Sequence, residues 1–275
     1  MLIGIVGFGY WGKILHSNLQ KLVDFEIIIH DPAAGIQNSN KILDCDKVFV
    51  ATNSSSHFDI VSGLLEGGQD VFCEKPLCLT LAHCKELYKT ALSTRSKLFV
   101  DWTFTFNDAV NHIKNGYESG RYGGIRSVSM NRLNSGPERK DTSAKWDLSS
   151  HDVSILDYIF SQKPNDINWN LFKRNNNSFV SDSCVGLLKY DGFDALLHSS
   201  WEYGRKDRMC VFEFDAGFLT WDDNNNTLDF NGGDDNFIQS KSPLENSILT
   251  FLNDSCGYNQ EELTLNVTEV LEYGE

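Results

Sequence analysis

The sequence predicts an α/β chain in two parts, an N-terminal Rossmann-type doubly wound parallel sheet and a C-terminal α+β domain with a largely antiparallel open sheet. Three observations carry this. The first hundred residues alternate short apolar strands with amphipathic helices. The later part strings together extended segments parted by Gly/Asn/Asp turns. The length, 275 residues, exceeds what one core usually serves. The domains are expected at 1–103 and 104–275.

Leu2–Gly7 is a continuous apolar run, as in a strand buried on both faces of a parallel sheet. Trp11–Leu22 has Trp11, Ile14, Leu15, Leu19 and Leu22 at helical spacing. Strands are expected at Phe25–His30, Lys47–Ala51, Asp70–Cys73 and Lys97–Val100, with helices at Phe58–Glu66 and Leu81–Leu92. The connection from Asp31 to Asp46 leaves little room for a full helix and strand, so this corner of the sheet should be trimmed. Beyond Trp102, helices are expected at Ala109–Glu118 and Ser150–Phe160 and a strand at Ile125–Arg132. Extended segments follow at Asp166–Lys173, Ser178–Tyr190, Phe193–Tyr203, Met209–Phe214 and Phe218–Trp221, and closing helices at Ser247–Cys256 and Val267–Leu271.

Bulk properties narrow the function. A formal net charge of −14 argues against nucleic acid or an anionic membrane as the main partner. No apolar stretch is long enough to span a bilayer, and Met1–Val6 lacks the basic segment of a signal peptide. The seven cysteines form no CxxC pair, so neither a disulfide framework nor a metal site is expected. Small buried thiols in a cytoplasmic protein fit best.

The chemistry begins at Gly7-Phe8-Gly9-Tyr10-Trp11-Gly12, directly after the first strand and opening a helix. Gly7 permits the tight turn, Gly9 lets a pyrophosphate approach the backbone, and Gly12 lets helix and strand pack closely. The helix N-terminus adds unpaired N–H groups and a positive dipole end. Asp31 ends the second strand about 20 residues past the motif, where an acid accepts from a ribose 2′-OH and repels a 2′-phosphate. NAD is therefore favoured over NADP.

Two further stretches, Ala51-Thr52-Asn53-Ser54-Ser55-Ser56-His57 and Cys73-Glu74-Lys75-Pro76-Leu77, end strands of the same half. Later come Gly124-Ile125-Arg126-Ser127-Val128 and Trp146-Asp147-Leu148-Ser149-Ser150-His151-Asp152. Together with the glycine motif these resemble the glucose-fructose oxidoreductase, inositol dehydrogenase and rhizopine-catabolism (Gfo/Idh/MocA) family across essentially the whole chain. Asn53 departs from the proline usual there. The resemblance implies that residues 1–103 bind NAD, with Gly7, Phe8, Gly9, Tyr10, Trp11, Gly12, Asp31, Thr52, Asn53, His57, Glu74 and Lys75 on the cofactor. It implies that 104–275 bind substrate and form a homodimer or homotetramer through the exposed sheet face.

Lys75 and its motif lie at carboxyl ends of parallel strands, where open α/β sheets bind ligands. The following proline fixes the backbone, and a partly desolvated lysine suits proton transfer. The resemblance implies that Lys75 hydrogen-bonds the reacting hydroxyl or carbonyl. Asp147 and His151 are four apart, so at a helix start both can share one face. The resemblance implies His151 as general base for alcohol oxidation, with Asp147 supporting it and binding substrate hydroxyls. Arg139 and Lys140 lie just upstream, where an anionic ligand would favour them, and Arg139 joins Lys75, Asp147 and His151 as a substrate-binding candidate. Ser154 stands where many relatives carry a second acid. Trp102, Phe104 and Phe106 read as packing residues.

The expected function is hydride transfer between NAD and a secondary alcohol or ketone of a sugar-like substrate, with a nucleotide-linked or amino sugar as the leading class. The alternatives are an inositol- or dihydrodiol-type dehydrogenase and a non-catalytic NAD-binding sensor on the same fold.

Overall fold

The computed structural model describes residues 1–22 and 24–274. The chain forms two compact units, Met1–Trp102 with Leu244–Thr268 and Thr103–Pro243 with Glu269–Glu275. A single cut at 103 does not describe this division, because a C-terminal segment returns to the first unit.

The first unit runs β1 (Leu2–Val6), α1 (Tyr10–Leu22), β2 (Glu26–His30), α2 (Ser39–Ile42), β3 (Lys47–Val50), α3 (His57–Glu66), β4 (Asp70–Glu74), α4 (Leu81–Thr94) and β5 (Leu98–Asp101). The strands lie in the order β2-β1-β3-β4-β5, all parallel. β1 therefore has neighbours reached by crossovers in opposite directions, the switch point at which such sheets bind ligands. Burial on both faces explains the unbroken apolar runs: Ile3 and Ile5 of β1, and Val48, Phe49 and Val50 of β3, are fully buried. The Asp31–Asp46 corner is trimmed as expected, to one short turn of 3₁₀ helix and the four residues of α2.

The second unit carries α5 (Asp108–Glu118), β6 (Ile125–Ser135), α6 (Ser150–Phe160), β7 (Asp166–Phe172), β8 (Ser183–Lys189), β9 (Asp194–Ser200), β10 (Glu202–Asp207), β11 (Met209–Phe214), β12 (Gly217–Asp222), β13 (Thr227–Phe230) and β14 (Gly233–Asp234). These strands form one sheet, β14-β13-β12-β11-β6-β9-β8-β7, with β10 paired to β6. Every pairing is antiparallel except β6 with β9. Burial alternates along β11, and Phe160 of α6 packs on Phe212 from its buried side.

The two extended segments Ser178–Tyr190 and Phe193–Tyr203 are shorter as strands than their composition suggests. The Asp182 carboxylate accepts from the Arg174 and Asn175 amides at 2.8–2.9 Å, holding residues 174–182 as a loop before β8 begins. The second segment breaks at Trp201 into β9 and β10.

The closing helices are α7 (Pro243–Leu252) and α8 (Gln260–Glu272), so the Val267–Leu271 expectation catches only the end of α8. Phe49, Phe72 and Phe99 stand opposite one another on β3, β4 and β5, and Phe251 of α7 packs on all three at 5.4–5.7 Å between ring centroids. Thr264 of α8 meets Tyr88 and Trp102 at 2.9 Å each. These buried contacts explain why Leu244–Thr268 joins the first unit. No helix among the described residues is long and apolar enough to cross a membrane.

Candidate active site

The glycine turn follows β1 and opens α1, and its shape follows from backbone sterics. Gly7 has φ +91°, a region that favours glycine, and a Cβ there would stand 2.6 Å from the Ala51 carbonyl oxygen. A Cβ on Gly12 would collide with the Gly7 carbonyl. At Gly9, by contrast, no atom lies within 4 Å of an added Cβ. That open face at a helix N-terminus is what an approaching pyrophosphate requires, so the turn fits a dinucleotide.

Asp31 lies against this turn. Its carboxylate accepts from the Phe8 amide at 2.6 Å and the Ala34 amide at 3.1 Å. The Phe8 amide above all, with the Ala34 amide, holds its carboxyl below the usual carboxylate range. An ionised acid at the edge of the phosphate turn has lone pairs to offer a ribose hydroxyl and repels a ribose phosphate.

Lys75 is half-buried and follows directly on β4. Its neighbours are anchored. Glu74 is buried, and the Trp11 indole N–H donates to its carboxylate. Asp101 stands in register with Glu74 on β5. Burial, and then the charge of Asp101, push the Glu74 carboxyl well above its ordinary value. His57 is 1% exposed and lies between two carbonyls, Nδ1 at 2.9 Å from Pro76 and Nε2 at 3.2 Å from Thr52. It is turned to protein carbonyls, whereas the sequence suggested a cofactor contact. Thr52 is half-buried and Asn53 exposed.

In the second unit, Lys145–Ser149 forms a single π turn immediately before α6. The α-helical spacing assumed for Asp147 and His151 therefore holds only from Ser150 onward. Asp147 sits in the π turn with both carboxylate oxygens engaged. Arg139 Nη1 donates to one at 3.2 Å and the Trp201 indole N–H to the other at 3.2 Å. Arg139 also grips Asp141 through Nε at 3.1 Å and Nη2 at 2.7 Å. Burial works against the guanidinium charge, but these two acids outweigh it and raise its pKa. Arg139 is thus committed to two carboxylates, not held out as an anion receptor, while Lys140 is exposed.

His151 is half-buried in the first turn of α6, its ring edge-on to Phe104 at 5.0 Å. The Arg132 guanidinium lies 4.5 Å from the Phe104 ring centroid and donates to Asp152 at 2.8 and 2.7 Å, with both side chains at most 1% exposed. Phe104 therefore does more than fill space: it links His151 to a buried ion pair. Sequence reading missed Arg132 and Trp201. The available signal was an arginine in step with the alternate apolar positions Val128 and Met130 of a strand, since a buried charge demands a partner. Among the described residues, no group of three or more His, Cys, Asp or Glu side chains is arranged to hold a metal ion.

Residues 23–102 match the oxidoreductase family with an NAD-binding Rossmann fold, and residues 110–220 match the GFO/IDH/MocA C-terminal domain. An inositol 2-dehydrogenase of Rhizobium meliloti (strain 1021) is 24% identical over 126 residues, which is 44% of this chain and 38% of that protein. Across four curated relatives the matched part spans 38–57% of their length. Among solved structures, UDP-N-acetylglucosamine 3-dehydrogenase GnnA from Acidithiobacillus ferrooxidans superposes with a TM-score of 0.85 at 18% identity, covering 98% of this chain and 95% of that one. An inositol dehydrogenase homolog from Azotobacter vinelandii, complexed with NADH and myo-inositol, superposes with a TM-score of 0.79 at 17% identity, covering 98% and 86%. At these identities the likeness is one of fold.

Proposed function

The chain belongs to the Gfo/Idh/MocA oxidoreductase family, and on that premise we propose that it is an NAD-dependent dehydrogenase of a sugar-like secondary alcohol. The observation that carries this reading is the glycine turn, open at Gly9 with the ionised Asp31 bound to the Phe8 amide. When bound, the cofactor supplies the hydride acceptor. Backbone N–H groups from Gly9 onward would hold its phosphates, Gly7 and Phe8 donating to His30 and Asp31 instead, and Asp31 would take a ribose hydroxyl. Lys75 donates a hydrogen bond to the reacting oxygen, and His151 takes the hydroxyl proton on a ring nitrogen. Asp147, fixed by Arg139 and Trp201, accepts from a neighbouring substrate hydroxyl.

A nucleotide-linked or amino sugar is the leading substrate class, supported by the fold shared with the UDP-N-acetylglucosamine dehydrogenase, and an inositol is the second. The outward face of the nine-stranded sheet supports pairing into a homodimer or homotetramer, since Leu187, Leu196 and Phe218 share it at 38%, 46% and 55% exposure.

The test is NADH absorbance with UDP-N-acetylglucosamine and myo-inositol, each with NAD⁺ and with NADP⁺. Turnover is expected with NAD⁺, at least ~10-fold better than with NADP⁺, a difference of about 1.4 kcal/mol. Lys75→Ala should lower turnover by ~100-fold or more while NADH still binds. NADH binding without turnover of any sugar alcohol, and with no effect of Lys75→Ala in cells, would establish a sensor instead.

A further inference from the structure

Lys75 lies between two residues that are each tied to another part of the first unit. On one side the Glu74 carboxylate accepts from Trp11 of the glycine turn. On the other, the Pro76 carbonyl lies 2.9 Å from Nδ1 of the buried His57. We propose that His57 is a positioning residue for Lys75, its Nδ1–H holding the Pro76 carbonyl and so fixing the backbone on which Lys75 is carried. This rests on the reading of Lys75 as the residue that meets the reacting oxygen.

The chemistry of the two partners decides the direction of the bonds. Thr52 O and Pro76 O are both carbonyl oxygens and can only accept. A neutral imidazole has one N–H, which we place on Nδ1, at the shorter contact to Pro76, leaving Nε2 at 3.2 Å from the Thr52 carbonyl as a packing contact. One ring thus spans the segments that follow two adjacent parallel strands. The Thr52 side is already braced without it, because the Ser56 hydroxyl bonds Thr52 Oγ1 at 3.0 Å and the Asn53 carbonyl at 2.8 Å. The Pro76 carbonyl is where losing the ring would be felt, one residue from Lys75. Misplacing a group at a reacting centre by about 1 Å is worth ~100-fold in rate, so a tether this close bears on turnover more than on cofactor affinity.

Three substitutions separate the two nitrogens in the full-length protein. His57→Asn places an amide N–H near the Nδ1 position and keeps the Pro76 bond. His57→Gln places one near Nε2, toward the Thr52 carbonyl, and leaves the Pro76 carbonyl without its donor. His57→Phe keeps an aromatic ring and loses the Pro76 bond. The kcat should fall ~10–100-fold in the Gln and Phe variants and stay within ~3-fold of wild type in the Asn variant, with NADH dissociation constants by fluorescence titration within ~2-fold throughout. Melting temperatures of the Asn and Gln variants should match, which separates positioning from stability.

A second readout needs no substrate. The rate at which pyridoxal 5′-phosphate with borohydride labels Lys75, followed by peptide mass spectrometry, should change several-fold in the Gln and Phe variants and remain unchanged in Asn. If Asn and Gln behave alike in labelling, or Phe labels as wild type does, the tether is wrong even where the protein turns substrate over. If labelling follows the expected pattern and no sugar alcohol is oxidised by wild type, the tether stands and the proposed reaction fails.

Discussion

The glycine turn and the Asp147 cluster are both polar neighbourhoods, yet they are made of different material. The turn is backbone. Its shape rests on a positive φ at Gly7, on the absence of a side chain at Gly12 and on the open face at Gly9, all within six consecutive residues. The Asp147 cluster is side chain. Its members, Arg139, Asp141, Asp147 and Trp201, come from three separate stretches of the second unit. A backbone-made site has few tolerated residues at each position and no substitute geometry. A side-chain-made site can exchange partners and still close its hydrogen bonds. The first should therefore fail abruptly when altered and the second by degrees.

Gly12→Val is the harshest way to break that contrast. The added side chain would meet the Gly7 carbonyl, which is backbone and cannot swing aside. A loss of about 3 kcal/mol or more in stability, with abolition of NADH binding, is expected from chemical denaturation and fluorescence titration. A variant that folds and binds NADH as wild type does would show that the turn is not sterically determined.

Arg139→Met tests the gentler half. It leaves Asp141 and Asp147 without their shared cation, and a loss of about 1–2 kcal/mol is expected, with Trp201 still holding one Asp147 oxygen. A double-mutant cycle with Asp147→Asn should give a coupling of about 1 kcal/mol. Additive losses would mean that the contact is geometric only. If Arg139 instead serves as an anion receptor, Arg139→Met would raise the KM for UDP-N-acetylglucosamine while leaving stability unchanged.

The smallest expected effect sharpens the comparison where the turn itself recruits a side chain, at Trp11 and Glu74. The folded protein favours the neutral Glu74 carboxyl, chiefly through burial and then the charge of Asp101. Its contribution is present in full below the ordinary value of 4.5 and is lost as pH rises through the raised folded value. Glu74→Gln keeps a neutral acceptor for the Trp11 N–H and removes that loss. Melting curves of the two proteins should coincide below pH 4.5 and separate at higher pH with the Gln variant higher. A variant less stable at pH 7 would mean that Glu74 works as an anion.

Much of this was legible in the sequence, and for one reason. The strands β1, β3, β4 and β5, the helix beginning at Tyr10, the trimmed Asp31–Asp46 corner and the glycine turn all follow from constraints that act within a few residues: pleat and helical periodicity, glycine's φ, and chain length. Asp31 was legible for the same reason, since the turn lies at the end of the neighbouring strand. Which side chains meet was a different matter. That Phe251 covers Phe49, Phe72 and Phe99, that Thr264 meets Tyr88 and Trp102, and that Arg139 spends its guanidinium on Asp141 and Asp147 depended on the path of the chain between them. His57 shows the division most sharply. Its place beside a strand end was evident from the sequence, but its ring is turned inward between two carbonyls that belong to segments following two different strands. Local sterics determined the backbone; long-range closure, with its demand that every buried polar group be satisfied, decided the partners.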